Sequence, residues 1–202
     1  MRTQRVAVDW DSTLAATDEL VLSLLNFKHG TSYTKKDLTD YKWHSHLRGR
    51  DGETLTDDFW KVFDLMETHH LRRAIRPVSP FACATVKWLQ RRGHVVDIVT
   101  ANTPMSADSI RAWLFGHGVD AKVVTLGRVT AAAKARMNYD LFIDDSPALV
   151  HAVVERGVSR MLLVNQPWNR FFFNAHYSSI RRVRWLEDWK FAAHILETEM
   201  NL

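Results

Sequence analysis

Four groups of polar residues in this chain each lie at or near a short apolar run. Asp9-Trp10-Asp11-Ser12-Thr13 follows Val6-Ala7-Val8, and Thr100-Ala101-Asn102 follows Val95–Val99. Lys134 comes a few residues before Leu141-Phe142-Ile143, and Asp144-Asp145 comes directly after it. Carboxylates gathered in one place repel one another and lose hydration, so positive charge must accompany them. An oxygen-only donor set, with no His or Cys in the group, favours Mg²⁺ over softer metals. Any one of these aspartates could be an ordinary turn or helix-capping residue. All four groups in this order predict a single site.

Parallel strands would carry the groups to one edge of a sheet. The segments Val6–Asp9, Val95–Thr100, Lys122–Thr125, Leu141–Asp144, Arg160–Val164 and Arg182–Arg184 read as strands, and their largely continuous apolar character suits burial on both faces. Ser79-Pro80, Thr103-Pro104 and Ser146-Pro147 each set a capping hydroxyl before a proline suited to the first helical position. Gly93, Gly116 and Gly157 supply the matching stops. Ile110, Trp113 and Leu114, like Trp88 and Leu89, fall at helical spacing and are expected to face the sheet as core. Such alternation predicts an α/β three-layer sandwich with a parallel central sheet and right-handed crossovers.

One interval is too long. From Asp9 to Val95 the chain far exceeds a strand–helix–strand unit of roughly 30 residues. The excess, Leu14–Val78, is expected to form a small helical insert, with residues 1–13 and 79–202 as the core. Its helices are expected at Asp18–Lys28, just after Thr34, and at Thr56–His70; Thr34-Lys-Lys-Asp37 reads as a capping box with Asp in place of Glu. An insert leaving beside the first strand's C-terminal end would stand over the place where such sheets bind ligands.

Together these motifs resemble the phosphatases of the haloacid dehalogenase superfamily. The D-x-D-x-T motif is matched by Asp9 to Thr13, the second-strand threonine by Thr100 in VVDIVTAN, the lysine by Lys134, and the acidic pair by Asp144-Asp145 in LFIDDSP. The likeness spans the whole chain. KARMNYDLFIDD (Lys134–Asp145), YTKKDLTDYKW (Tyr33–Trp43) and NQPWN (Asn165–Asn169) are further similar to the 5'(3')-deoxyribonucleotidase group and its bacterial nucleotidase relatives. The resemblance implies a HAD-like Rossmannoid sandwich with a helical cap. It also implies an Mg²⁺-dependent phosphomonoester hydrolase, a 5'-nucleotidase acting on (deoxy)nucleoside monophosphates.

By the same resemblance Asp9 is the nucleophile that forms an aspartyl-phosphate, and Asp11 is the acid and base. Thr100, Ala101, Asn102 and Lys134 bind the phosphate. Asp9, the carbonyl of Asp11, and Asp144 or Asp145 hold Mg²⁺; either member of that pair could be the direct ligand. Ser12 departs from the family's usual glycine, so the loop after Asp11 is expected to be tighter or differently hydrogen-bonded. Trp43, ahead of Phe59 and Trp60, is the candidate for stacking on a nucleobase, against the plainer reading that all three pack the insert. NQPWN is balanced between a structural turn and a site element. Phe171-Phe-Phe173 reads either as an interface patch or as ordinary core.

Composition narrows the classes further. At 202 residues, with 46% hydrophobic and 25% charged residues, the chain is an ordinary globular protein and not a disordered tail or a disulfide scaffold. The lone Cys83 cannot pair within the chain, and a reducing, cytoplasmic setting is the simplest expectation. No apolar run is long enough for a membrane span. The net charge of +4 is modest, but between Glu67 and Asp97 six basic residues occur with no acid. That stripe could attract a phosphorylated substrate or nucleic acid; a solvated helix face is the favoured reading. His44, His46, His69 and His70 lack a recognisable zinc spacing. The expected partner is a small phosphorylated molecule, with no membrane, no nucleic acid, and a homodimer left open. The alternatives are a phosphatase for another phosphometabolite or a nucleic-acid end, and a catalytically silent basic binding module.

Overall fold

A computed structural model describes residues 2–127, 129–176 and 180–202. Six parallel strands form one sheet in the order β3-β2-β1-β4-β5-β6. They are β1 (Arg5–Val8), β2 (Val95–Thr100), β3 (Lys122–Thr125), β4 (Leu141–Asp144), β5 (Arg160–Val164) and β6 (Val183–Leu186). The middle four were read from sequence at these bounds. β1 begins one residue early, and β6 lies further along the chain than Arg182–Arg184. The strand order runs outward in both directions from β1 and β4, so the crevice between their C-terminal ends is the switch point where doubly wound sheets bind ligands.

Helices α3 (Pro80–Arg91), α4 (Ala107–Gly116), α5 (Ala131–Ala135), α6 (Pro147–Arg156), α7 (Arg170–His176) and α8 (Ala192–Thr198) surround the sheet. Val6, Val8, Ile98 and Ile143 belong to one buried cluster with Leu89, Ile110, Trp113 and Leu114; Ala7, Val99 and Phe142 belong to another with Leu149 and Val153. Adjacent residues of a strand thus feed opposite layers, as the period of two demands. Phe173 is buried, Phe172 half-buried and Phe171 exposed, so the triple phenylalanine divides between core and surface. Among the described residues no helix is long and apolar enough to cross a membrane.

Between β1 and α3 the chain builds α1 (Thr17–His29), α2 (Thr56–Thr68) and short 3-10 turns at Lys35–Asp37, Trp43–Ser45 and Leu71–Ala74. The Thr34–Asp37 capping box is present, with the Thr34 amide donating to Asp37 Oδ2 at 2.7 Å. The two passages into this insertion lie side by side: Ala16 N donates to Arg76 O, and Val78 N to Leu14 O, each at 2.9 Å. Arg76 adds an ion pair to Glu19 at 2.6 Å. One expected cap is used otherwise. Ser79 and Ser146 accept from helix amides as anticipated, but Thr103 makes no cap bond and its hydroxyl donates to Glu67 Oε1 at 2.7 Å.

Candidate active site

The loop after β1 is anchored from both sides. Asp9 N donates to Ile143 O at 2.9 Å, continuing the β1–β4 pairing, while the fully buried Trp10 meets Trp113 edge-on at 5.8 Å between ring centroids. Ser12 has a left-handed backbone, φ 55°, which a glycine adopts without strain and a serine adopts only when held. Here it is held. Its hydroxyl donates to the buried Asp18 at 3.2 Å, its carbonyl accepts from Gln166 Nε2, and Lys35 lies 3.0 Å from Asp18. The serine therefore keeps the turn a glycine would make and fastens it by its side chain.

Lys134, presented by α5, is the centre of the cluster. Its Nζ lies 2.7 Å from Asp9 Oδ1 and 2.7 Å from Asp144 Oδ2. Asp144 Oδ1 accepts from Ser146 N at 2.8 Å. Asp145 accepts from Trp168 Nε1 at 3.0 Å and from Thr13 Oγ1 at 3.3 Å, and Asn169 Nδ2 donates to its carbonyl at 2.8 Å. NQPWN is thus a turn whose side chains brace the site: Gln166 holds the Ser12 loop, while Trp168 and Asn169 hold Asp145.

Thr100 and Asn102, at the end of β2, face Asp11. Asn102 Nδ2 donates to Asp11 Oδ2 and to Thr100 Oγ1, and Thr100 Oγ1 donates to Asp11 Oδ2 at 3.4 Å. Arg72 and Glu67 of the insertion complete this side. Arg72 Nη2 donates to Asn102 Oδ1 at 2.7 Å, and Glu67 Oε1 lies 3.9 Å from the same nitrogen. Neither residue was singled out individually from sequence. Arg72 belongs to the basic stripe, for which a solvated face was the favoured reading, yet it is 1% exposed.

A cavity of about 510 Å³ joins these groups, within the usual size range of small-molecule sites. Asp9, Asp144, Asp145, Thr100, Ala101, Asn102 and Lys134 line its floor. The insertion adds a largely aromatic lining of Tyr41, Trp43, His44, Phe59, Trp60 and Phe63. Of these Tyr41 lies beside the carboxylates: burial and the charges of Asp145 and Asp144 raise its phenol. Trp43 is 9% exposed and sits edge-on to Phe59 at 5.0 Å, and His44 stacks on Phe59 at 4.6 Å. The sequence-derived site residues, Trp43 included, are therefore brought to one cavity.

Ligand oxygens of Asp9, Asp144 and Asp145 lie within 4.8 Å of one another. The Asp11 side chain turns away, to Thr100 and Asn102, which leaves its backbone carbonyl as the atom the resemblance assigns to a metal. Three clustered carboxylates with no histidine or thiol fit a hard divalent cation. Burial, with Asp144 and Asp11 adding repulsion, pushes Asp9 up to about 7 even though Lys134 pulls it down. Burial and the charges of Asp144 and Asp9 likewise raise Asp145, and burial raises Asp11. Burial opposes the Lys134 ammonium, but Asp144 and Asp9 outweigh it and hold its pKa above the usual lysine value.

Raised carboxylates bind protons in the folded state that the unfolded chain releases near pH 4, so their contribution to stability falls as pH rises toward 7. A cation that binds these oxygens competes with those protons. Saturating Mg²⁺ is therefore expected to raise the melting temperature more at pH 8 than at pH 5.5, measured by differential scanning fluorimetry after chelation. An equal or larger rise at pH 5.5 would contradict a metal site on these carboxylates.

No protein-family model and no curated protein sequence matches the chain. Solved structures do. A HAD family hydrolase from Deinococcus radiodurans, with bound phosphate and sodium, superposes with a TM-score of 0.65 at 14% identity, covering 96% of each chain. A Thermotoga maritima protein provisionally described as a beta-phosphoglucomutase gives 0.62 at 16% identity, covering 96% of this chain and 99% of that one. CbbY from Rhodobacter sphaeroides, in complex with phosphate, gives 0.58 at 15% identity, covering 93% and 95%. These identities speak for architecture alone. By its sheet order, its insertion after β1 and its match to these structures, the chain has the fold of haloacid dehalogenase-like hydrolases.

Proposed function

We propose that this protein is an Mg²⁺-dependent phosphomonoester hydrolase acting on (deoxy)nucleoside monophosphates. The observation that carries the reading is a single cavity lined both by clustered aspartates with a buried lysine and by aromatic rings of the insertion. In this reading a carboxylate oxygen of Asp9 attacks phosphorus while the bond from phosphorus to the sugar oxygen breaks. Asp11 gives its proton to that leaving oxygen. Water then attacks the aspartyl-phosphate, Asp11 takes a proton back, and phosphate leaves with Asp9 restored.

Thr100, with the Ala101 and Asn102 amides, would meet the phosphoryl oxygens, and Lys134 would offset their charge. Mg²⁺ held by Asp9, the Asp11 carbonyl and the Asp144-Asp145 pair would supply further charge neutralisation. The insertion would act as a cap over the cavity, deciding what enters without taking part in phosphoryl transfer.

A second reading, a sugar phosphate as substrate, is favoured by the neighbour CbbY, one structure of which holds xylulose-1,5-bisphosphate. Release of phosphate from a panel of nucleoside monophosphates and sugar phosphates separates the two. Trp43 sharpens the comparison. Because stacking is worth about 1–3 kcal/mol per base, Trp43→Ala should lower kcat/KM for nucleoside monophosphates roughly ten- to a hundredfold. Hydrolysis of 4-nitrophenyl phosphate, which needs no base pocket, should stay within a few-fold of wild type. A parallel fall of both would make Trp43 a packing residue, and no fall in either would place the base elsewhere or rule out a nucleotide.

A further inference from the structure

Arg72 reaches the acid/base side of the cavity from outside the core. It sits in the 3-10 turn Leu71–Ala74, and its side chain is almost wholly buried. A guanidinium offers donors and no acceptor, so Asn102 can meet it only with its carboxamide oxygen, at 2.7 Å. That contact decides which way the carboxamide faces. Its nitrogen is turned to Asp11 Oδ2 and Thr100 Oγ1. Were the group flipped, an amide nitrogen would face the guanidinium and an oxygen would face the Asp11 carboxylate. Both contacts would be repulsive in a space where Asn102 is only 8% exposed.

Neighbouring contacts keep the turn in reach of Asn102. Glu67 Oε1 accepts from Thr103 Oγ1 and Ser106 Oγ, each at 2.7 Å, and His70 Nδ1 lies 3.0 Å from Ser109 Oγ. Trp113 Nε1 donates to the Ile75 carbonyl just beyond Arg72. All four core partners lie on the segment that follows Asn102. The insertion is thereby docked on the same stretch of chain that carries the carboxamide.

We propose that Arg72 is a positioning residue for proton transfer: from the insertion it fixes the Asn102 carboxamide, and through it the Asp11 carboxyl, against the leaving oxygen. The inference rests on the phosphohydrolase reading, in which Asp11 is the proton donor. A mispositioned donor harms slow-leaving groups most. 4-Nitrophenolate departs without a proton, whereas a more basic phenolate gains from receiving one in the transition state.

The test compares kcat/KM, which reports the first phosphoryl transfer, for 4-nitrophenyl phosphate and phenyl phosphate. The two substrates are similar in shape and carry no nucleobase. In Arg72→Met the ratio favouring the nitrophenyl ester should rise about tenfold or more over wild type, because general acid catalysis is worth about 10²–10⁴ in rate. Arg72→Lys, which retains a donor-only cation, should bring the ratio part of the way back. Asn102→Asp keeps a partner for Arg72 but puts an oxygen against Asp11. It should raise the ratio as Arg72→Met does, and it decides the matter if the methionine variant does not fold. An unchanged ratio in the folded variants, whatever the loss in absolute rate, would overturn the inference and leave Arg72 a structural or binding residue. No phosphate release by the wild-type enzyme from either ester, nor from any nucleoside monophosphate or sugar phosphate of the panel, would remove the phosphohydrolase reading, and this inference with it.

Discussion

Asp9→Asn is expected to lower turnover by roughly a thousandfold or more, since the neutral amide keeps the shape of the side chain but cannot attack phosphorus as an anionic nucleophile. The fold should survive. Lys134 donates to Asp9 Oδ1, and the asparagine oxygen can accept that bond. The substitution also removes one of three carboxylates whose oxygens crowd within 4.8 Å, so the metal-free variant should melt no lower than the wild type. Steady-state phosphate release, with melting curves on the same samples, measures both. Turnover within tenfold of wild type would strip Asp9 of the nucleophile's role.

What the sequence made legible follows from how local each signal is. The interior strands β2, β4 and β5 could be bounded to the residue because buried parallel strands are near-continuous apolar runs, and polar groups follow at their C-terminal ends. The long gap between β1 and β2 announced an insertion, since a crossover needs far fewer residues. Ser12 was visible as a departure from glycine. Its consequence, a left-handed turn tied to Asp18 and Gln166, was not, because Gln166 lies far along the chain.

The residues that escaped notice are those whose role depends on docking. Arg72 sits among five other basic residues in an acid-free stretch, and nothing local distinguishes the one that becomes buried. Its environment comes from Asn102 and Asp11, supplied by the ends of β2 and β1. Glu67 looks like one more charge near the end of α2 until Thr103 and Ser106 arrive beneath it. The same docking diverted Thr103 from the helix-capping role that its place before Pro104 suggested. For NQPWN, balanced in the sequence between a structural turn and a site element, the β4–β5 pairing decides: it brings the Trp168 N–H to Asp145.

Lys134→Met should cost both activity and pH tolerance, and the cause is one charge. The lysine is 8% exposed and is shared at 2.7 Å between Asp9 and Asp144. Methionine fills much the same space without the ammonium, leaving carboxylates close together in a buried site. Removing one partner of a buried ion pair costs about 3–5 kcal/mol when the remaining charge has no other compensation. Asp9 has an escape, which is to take up a proton. Asp9, already raised to about 7 with the lysine present, should then titrate higher. A protonated Asp9 is no nucleophile, so the acid limb of kcat/KM against pH should move to more alkaline pH. Near neutrality the rate should fall by about a hundredfold, counting the lost neutralisation of the phosphoryl oxygens as well. The melting temperature of the metal-free variant should recover toward wild type as pH drops from 8 to 5, where protons do what the ammonium did. A folded variant with the wild-type pH profile and near wild-type rate would show that Lys134 neutralises neither the aspartates nor the substrate.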